Sequence, residues 1–292
     1  MSVRQHTVSC ASNVLPLREA LVKHPRDAWR RVRVEWDMLG FTGEPDPDAA
    51  AREFEAFCEG LRSLGVRLHY LPFDARTDSD SLYTHDPVIS TGEGLVLCRT
   101  GKENRRAESA AVEAWATDHG VPVAGRIEAP GLLEGGDLIW LDRNTVAVGL
   151  GFRSNAEGGR QFGALAGVDV VEVPLPWHRG PGDVLHLMSL ISPLDQELAL
   201  VHRRLLPVPF LQLLEGRGWD LLVLPEHEYE TLGCNVLAVA PRVAMAVRGN
   251  PETRRLLEGA GCEVHTYAGA QISMMGLGGP TCLTRPLLRV PV

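Results

Sequence analysis

Five residues with reactive side chains recur along this chain at nearly equal intervals. They are two carboxylates, an imidazole, an amide and a thiol, at Asp86, Glu134, His186, Asn235 and Cys282. The intervals between them are 48, 52, 49 and 47 residues. Residues that recur with the period of a structural repeat occupy equivalent places in successive modules. We therefore expect these five side chains to converge on one site.

Cys282 is the candidate nucleophile. It follows Gly278-Gly279-Pro280-Thr281, a turn sequence that lets the backbone approach a ligand and presents the thiol at the end of a turn. A thiol becomes a strong nucleophile only when it ionises, which requires a cationic neighbour or substrate. His186 is the expected partner and proton carrier. Taken singly, each residue has an ordinary alternative, a packed core cysteine and a hydrogen-bonded core histidine.

Acidic residues near the same positions predict a pocket for a cation. Glu134 and Asp137 flank two glycines between apolar segments, and Asp80 and Asp86 precede Pro87. Carboxylates are costly to bury unless they meet a cation or hydrogen-bond donors. A guanidinium suits such a pocket because it is planar, charged and able to bond carboxylates in a fork. The alternatives are a surface acidic turn for the first pair and Asx-turn capping for the second.

Two arginines follow the same spacing. Arg105 lies 19 residues after Asp86, and Arg153 lies 19 residues after Glu134. Both are candidates for binding a substrate carboxylate, although a solvated surface position is the alternative for either arginine alone.

The elements that would position these residues also repeat. Each of five predicted helices stops at a glycine and is followed by a short apolar strand. These glycines are Gly65, Gly120, Gly167, Gly218 and Gly261. Glycine terminates helices readily because it adopts the left-handed conformation without a Cβ penalty. A period of about 50 residues is typical of a propeller or a solenoid.

Each module is predicted to contain a hairpin, a helix and a strand, which gives an α/β fold. We expect strands at 15–24, 66–71, 121–127, 168–173, 221–224 and 262–267, hairpins at 87–99 and 138–149, and helices at 48–64, 155–166, 207–215 and 251–260. Pairing of Leu283–Val290 with the N-terminal strand would complete the fifth module and close a ring. No linker divides residues 1–292, so we predict a single catalytic domain.

Composition excludes several functional classes. The formal net charge of −8 and the dispersed basic residues argue against a nucleic-acid partner. No apolar segment approaches the length of a membrane helix, and no secretory signal is recognisable, so we expect a cytoplasmic protein with no membrane partner. The six cysteines are scattered and are expected to be reduced thiols rather than disulfides or a metal cluster. A homo-oligomer stays open.

Together these segments resemble the guanidino-group-modifying enzymes of the pentein, or five-bladed α/β-propeller, superfamily. The resemblance spans nearly the whole chain. It is carried by Leu133–Asp137, Gly149–Gly158, the His186-Leu187 step and Gly278–Cys282. It implies a dimethylargininase, an arginine deiminase or an amidinotransferase, acting on arginine or methylarginine without a cofactor or a metal.

The resemblance also implies residue roles. Cys282 would attack the guanidinium carbon, and His186 would protonate the departing amine and then activate water. Glu134, as a catalytic residue, and Asp86 would orient the guanidinium. The implied substrate-binding residues are Asp86, Asp80, Arg105, Arg153 and Asp137, with the two arginines binding the substrate α-carboxylate.

Two positions in the sequence indicate which subfamily the chain resembles. Deiminases and amidinotransferases usually carry Asp two residues after the catalytic histidine, where this chain has Met188. Dimethylargininases lack that Asp and carry Asp at the position of Asp80, so the sequence favours a methylarginine substrate and citrulline as product. The Gly278–Cys282 segment is closer to that of deiminases, which keeps arginine deiminase as the alternative. A propeller of this fold that binds a partner without catalysis is the non-enzyme alternative.

Overall fold

The five helix–glycine–strand junctions organise the fold. The computed structural model describes residues 9–30, 36–182 and 185–290. All five glycines adopt positive φ angles, between 64° and 84°, in Gly65, Gly120, Gly167, Gly218 and Gly261. A left-handed residue ends each helix and turns the chain directly into the next strand. The repeated glycine therefore has the local structural cause predicted from the sequence.

The described strands form five three-stranded sheets, each containing an antiparallel pair and one added parallel strand. The sheets are β15–β1–β2, β3–β4–β5, β6–β7–β8, β11–β10–β9 and β12–β13–β14. Their bounds are β1 Leu17–Val22, β2 Arg67–Tyr70, β3 Val88–Ser90, β4 Leu95–Leu97, β5 Val123–Arg126, β6 Leu138–Asp142, β7 Thr145–Leu150, β8 Asp169–Pro174, β9 Ile191–Asp195, β10 Leu198–Val201, β11 Asp220–Val223, β12 Val236–Ala240, β13 Val243–Val247, β14 Glu263–Tyr267 and β15 Arg285–Arg289.

A helical segment precedes the parallel strand of each sheet. The α-helices are α1 Pro25–Ala28, α2 Pro47–Ser63, α3 Glu108–His119, α4 Ala156–Ala166, α5 Val208–Gly216 and α6 Pro251–Gly259. This order gives the α/β class predicted from the sequence. The predicted strands and helices are present, with ends shifted by no more than two residues, because capping and fraying decide the terminal residues.

The first sheet joins the two ends of the described chain. β1 pairs antiparallel with β15, with Leu17 opposite Arg289 and Leu21 opposite Arg285. On its other side, β1 pairs parallel with β2. The predicted pairing of the segment after Cys282 with the N-terminal strand is thus present, so the fifth module is assembled from distant parts of the sequence.

Helix α4 shows why glycines occur inside a helical segment. The Asn155 side chain accepts a hydrogen bond from the Gly158 N–H at 2.9 Å and caps the helix. A Cβ atom on Gly158 would lie 1.9 Å from the carbonyl oxygen of Leu132. Glycine is therefore needed here because the first turn of α4 packs against the backbone that leads to Glu134.

Apolar side chains of the sheets and helices fill several core clusters. On α2, the side chains of Phe54, Phe57, Cys58 and Leu61 are buried. All six cysteines are free thiols, and Cys282 alone among them is partly exposed. Within the described ranges, no helix combines the length and apolar character needed to cross a bilayer.

Candidate active site

Glu134 is the centre of a buried charge network. Its Oε2 atom accepts hydrogen bonds from His186 Nε2 at 2.7 Å and from Arg153 Nη1 at 2.9 Å. Its Oε1 atom accepts a bond from the backbone N–H of Lys102 at 3.2 Å. The structure therefore brings together three of the residues selected by spacing, and Glu134 fixes the orientation of the imidazole.

Asp86 lies beside this network. Its Oδ1 atom accepts a hydrogen bond from the Gly136 N–H at 3.0 Å, and its Oδ2 atom accepts one from Arg105 Nη1 at 2.5 Å. A Cβ on Gly136 would lie 2.6 Å from His186 Nδ1 and 3.0 Å from Asp86 Oδ1. The glycine between Glu134 and Asp137 is required because imidazole and carboxylate both press against its backbone.

Arg105 is held by a residue that the sequence analysis did not select. The carboxylate of Glu108 accepts two bonds from Arg105, to Nε and Nη2, each at 2.9 Å. Arg105 Nη2 also donates to the carbonyl of Tyr83 at 2.8 Å. Glu108 follows Arg105 by three residues on the first turn of α3, a helical spacing that could have indicated the pair.

Asp137 links the segments that carry Glu134 and His186. Its Oδ2 atom accepts a bond from Ser154 Oγ at 2.6 Å, and its Oδ1 atom accepts one from the backbone N–H of Leu187 at 2.9 Å. Ser154 Oγ in turn accepts from the Glu134 N–H at 3.0 Å. Asp137 thus ties the Glu134 segment to the residue that follows His186, and both its oxygens are engaged by protein donors.

Cys282 lies at the opening of the site. Asn235 Nδ2 lies 3.2 Å from Cys282 Sγ, and Asn235 Oδ1 accepts a bond from the Thr281 N–H at 3.2 Å. A Cβ on Gly279 would lie 2.5 Å from the Asn235 side chain. The glycine turn therefore packs closely against an amide, and Asn235, which had no assigned role, holds the thiol in place.

A cavity of about 80 Å³ connects the thiol to the imidazole. Cys282, His186, Asn235 and Ser189 contribute to its lining. The candidate nucleophile and its expected proton carrier therefore line the same cavity.

Asp80 occupies a separate polar pocket. Its Oδ2 atom accepts hydrogen bonds from Lys102 Nζ at 2.6 Å and from Asn104 Nδ2 at 3.1 Å. Lys102 Nζ also donates to the carbonyl of Leu39 at 2.6 Å. A ligand amine that binds Asp80 would therefore have to replace or join the Lys102 ammonium.

The chain is similar to known proteins over most of its length. The family model described as N,N dimethylarginine dimethylhydrolase, eukaryotic, matches residues 43–289. The chain belongs to this dimethylarginine dimethylhydrolase family. It is 29% identical over 243 residues to N(G),N(G)-dimethylarginine dimethylaminohydrolase of Pseudomonas aeruginosa, covering 83% of this chain and 90% of that protein.

Two further comparisons extend the likeness. An arginine deiminase of Bacillus cytotoxicus is 26% identical over 266 residues, covering 76% of this chain and 64% of that protein. A solved structure of the Pseudomonas aeruginosa dimethylargininase, a cysteine-to-serine mutant complexed with citrulline, has a TM-score of 0.74 and 25% identity. It covers 92% of this chain and 99% of the other. The α/β fold of this dimethylarginine dimethylhydrolase family member is thereby confirmed.

Protonation in this family member follows from burial and charge. Burial disfavours the charged imidazole, but Asp86, Asp137 and Glu134 together raise the pKa of His186 to about 9. Burial and the nearby Asp86 raise the pKa of Cys282 to about 11, although the Asn235 hydrogen bond opposes this. These shifts favour an imidazolium at His186 and a protonated thiol at Cys282 at neutral pH.

The carboxylates divide into two groups. Burial raises the pKa values of Asp86 and Glu134, but His186 and the paired arginines outweigh burial and hold both below their usual range. Burial raises the pKa of Asp137 to about 6 and that of Glu108 to about 7. The residues nearest the imidazole thus stay ionised at neutral pH, as a site for a cationic substrate requires.

Potential ligand atoms of Asp86, Glu134 and His186 lie within 4.8 Å of one another. Two of the three residues already accept hydrogen bonds from arginine guanidinium groups. These donors give the carboxylates a role that needs no metal, and the expectation of a metal-free and cofactor-free reaction stays a prediction.

Proposed function

We propose that this chain hydrolyses the guanidinium group of N-methylated arginine, giving citrulline and an alkylamine through a covalent intermediate on Cys282. The observation that carries the proposal is the cavity shared by Cys282 and His186, with Glu134 fixing the imidazole. The family shown by the comparisons supports this reaction, and the acid–base groups supply its chemistry.

The first half of the reaction forms the intermediate. A bound guanidinium favours ionisation of Cys282, whose proton passes to solvent, because it places a positive charge beside the sulfur. The thiolate attacks the central carbon and forms a C–S bond, giving a tetrahedral adduct. His186 then donates its proton to the departing nitrogen and the C–N bond breaks. A neutral amine departs, and a thiouronium remains bound to Cys282.

The second half uses the same imidazole as a base. Neutral His186 takes a proton from water, whose oxygen attacks the thiouronium carbon. The C–S bond breaks, the hydroxyl proton of the second adduct passes to the sulfur as the citrulline carbonyl forms, and the thiol and imidazolium of the starting state are restored. Glu134 assists both proton transfers, because its Oε2 atom stabilises the imidazolium form of His186 before it donates its proton and after it accepts one.

The substrate-binding roles of Asp86, Asp80, Arg105, Arg153 and Asp137 stay predictions. Asp86 is the carboxylate best placed to orient a guanidinium, since it lies beside the imidazole with one oxygen on Gly136. Both arginines are bonded to acidic side chains, so binding a substrate carboxylate would require them to share or exchange those partners. Asp80 is available to an α-amino group only alongside Lys102.

Arginine deiminase activity is the second candidate. The likeness to a curated arginine deiminase and the glycine turn before Cys282 favour it. Met188, which packs beside an apolar cluster, supplies no carboxylate to hold an unsubstituted guanidinium. That absence leaves methylarginine as the preferred substrate.

The proposal also covers the arrangement of the five sheets, the ligand and the location of the protein. We infer that the five three-stranded sheets are the blades of a pentein propeller, with the site at its centre. The partner is a small guanidino molecule, and the chain functions as one catalytic domain in the cytoplasm. The similar fold of a dimethylargininase complexed with citrulline supports this arrangement.

The decisive test is citrulline formation from arginine and from asymmetric dimethylarginine, measured side by side with the amine released. We expect higher kcat/KM with the methylated substrate and dimethylamine as co-product. Cys282→Ser should abolish turnover with both substrates without loss of the folded state. Cys262→Ser, at a buried cysteine outside the cavity, is the matched control and should keep activity. Turnover by Cys282→Ser at the wild-type rate would refute the covalent mechanism.

A further inference from the structure

A second cavity lies directly behind the catalytic residues. Its volume is about 40 Å³. It is lined by His85, Gly135 and Thr281, the immediate neighbours of Asp86, Glu134 and Cys282. Neither Cys282 nor His186 lines it, so this second cavity is distinct from the one that joins the proposed nucleophile to the imidazole.

Two buried arginines face this second cavity. Arg285 and Arg289 both lie on β15, four residues apart, and are only 5% and 4% exposed. Arg285 Nη2 donates to the His85 carbonyl at 2.5 Å, and Arg289 Nη2 donates to the Ala238 carbonyl at 2.7 Å. These acceptors are neutral, so the hydrogen bonds satisfy N–H groups without balancing the charges.

Within the described part of the chain, no carboxylate forms an ion pair with Arg285 or Arg289, and Asp86 acts on Arg285 only at longer range. None of the residues that line the second cavity is Asp or Glu, and neither guanidinium has a carboxylate within ion-pair distance there. The Nε atoms of Arg285 and Arg289 are buried without any hydrogen-bond partner. A buried charge that is unpaired is strongly unfavourable, so two such groups around one space favour the binding of a counter-charge.

We propose that the second cavity binds a small monovalent inorganic anion, of the chloride class, between Arg285 and Arg289. One water needs roughly 10–15 Å³ of such space, so the cavity has room for one such anion with one or two waters. An anion there would satisfy the two Nε donors and leave the carbonyl bonds of both arginines intact.

Cys10 offers a way to replace the anion by a side chain. It is buried, lines the second cavity and lies close enough to Arg289 to interact with it. A carboxylate at position 10 would supply the missing negative charge within the chain. Cys10→Asp is therefore expected to fold and to lose its dependence on the anion.

The first experiment measures thermal unfolding of the full chain as chloride replaces a bulky organic anion at constant ionic strength. For the wild type, Tm should rise by roughly 3 °C per tenfold increase in chloride concentration once that concentration exceeds the Kd of the site. Cys10→Asp and Arg285→Met should flatten this response. Arg143→Met, at an exposed arginine outside the second cavity, should keep it. Equal chloride responses in the wild type and Cys10→Asp would overturn the proposal.

The second experiment needs no variant. Crystals of the wild type are soaked in bromide, and anomalous scattering locates the bound ions. A peak between the guanidinium groups of Arg285 and Arg289 supports the site. Water density without anomalous signal at that position, in a crystal that shows bromide elsewhere, would mean that solvent alone fills the space and would overturn the proposal.

Discussion

At the scale of single residues, the site depends on a relay of ionic contacts that starts outside the reacting groups. Glu108 bonds Arg105 through two N–H···O contacts, and Arg105 bonds Asp86. Asp86 in turn stabilises the protonated form of His186. A change at Glu108 therefore reaches the imidazole without contact with the substrate.

Glu108→Gln tests this relay. The neutral amide accepts only one guanidinium bond, so Arg105 should hold Asp86 less firmly. We expect kcat/KM to fall by about tenfold to a hundredfold, the equivalent of one weakened charge-assisted hydrogen bond. Steady-state kinetics and Tm are measured together. Glu113→Gln on the same helix breaks a partly exposed pair with Arg126 and should leave kcat/KM unchanged. A wild-type rate for Glu108→Gln would contradict the relay.

The raised pKa of Cys282 gives a prediction for its reactivity. In the absence of substrate, the rate of alkylation by iodoacetamide should rise about tenfold per pH unit from pH 7 to pH 10, because only the thiolate reacts. The direction follows from a pKa near 11, which keeps the thiol protonated below that pH. Mass spectrometry of the Cys282 peptide measures the rate, with a small free thiol as reference. A plateau beginning below pH 8 would show that the site stabilises the thiolate without substrate.

The sequence predicted the reactive residues better than their contacts. Cys282, His186 and Glu134 could be selected because they recur with the structural period. Arg105 and Arg153 were selected by their 19-residue spacing from Asp86 and Glu134 as candidates for a substrate carboxylate. Their ion pairs with Asp86 and Glu134 were not predicted, since spacing does not show what a guanidinium donates to. Glu108 and Lys102 were missed because a charged residue at a helix start is ordinarily solvated.

At the scale of elements, the glycine turns control the module. They determine where each helix ends and allow the parallel strand to begin within one or two residues. These junctions could be predicted from the sequence because a positive φ angle favours glycine, and glycine can be recognised in the sequence. Exact strand ends were less predictable, since pairing partners from distant segments decide them.

Gly167→Ala tests the requirement. Gly167 has φ of 66° and open space around its Cα, so an added methyl group meets only backbone strain. We expect a loss of about 1–2 kcal/mol in unfolding free energy, measured by chemical denaturation. Gly216→Ala is the matched control, because Gly216 ends α5 without a positive φ and also has open space. That change should be neutral or slightly stabilising. Equal losses at both positions would exclude backbone strain as the cause.

At the scale of the whole molecule, the prediction is a single domain. The five sheets share core clusters that run across module boundaries, as when Leu21 of β1 packs in one cluster with Leu95 of β4. Sheets that share core clusters should unfold as one unit, because each sheet loses part of its buried surface when a neighbour opens.

Coincident unfolding tests this unity. Denaturant curves followed by far-ultraviolet circular dichroism and by fluorescence of the six tryptophans, which lie between Trp29 and Trp219, should superimpose. Activity should disappear over the same range. Two resolved transitions would show that the chain contains more than one cooperative unit.

The antiparallel partnership of β1 and β15 has a consequence for biosynthesis. Cys282 and β15 lie within one short segment, which a ribosome produces only after β3 to β14 have been made. A nascent chain that stalls before this segment therefore lacks both the proposed nucleophile Cys282 and the strand that completes its first sheet. The reacting thiol thus becomes available only after the segments of the other four sheets have been synthesised.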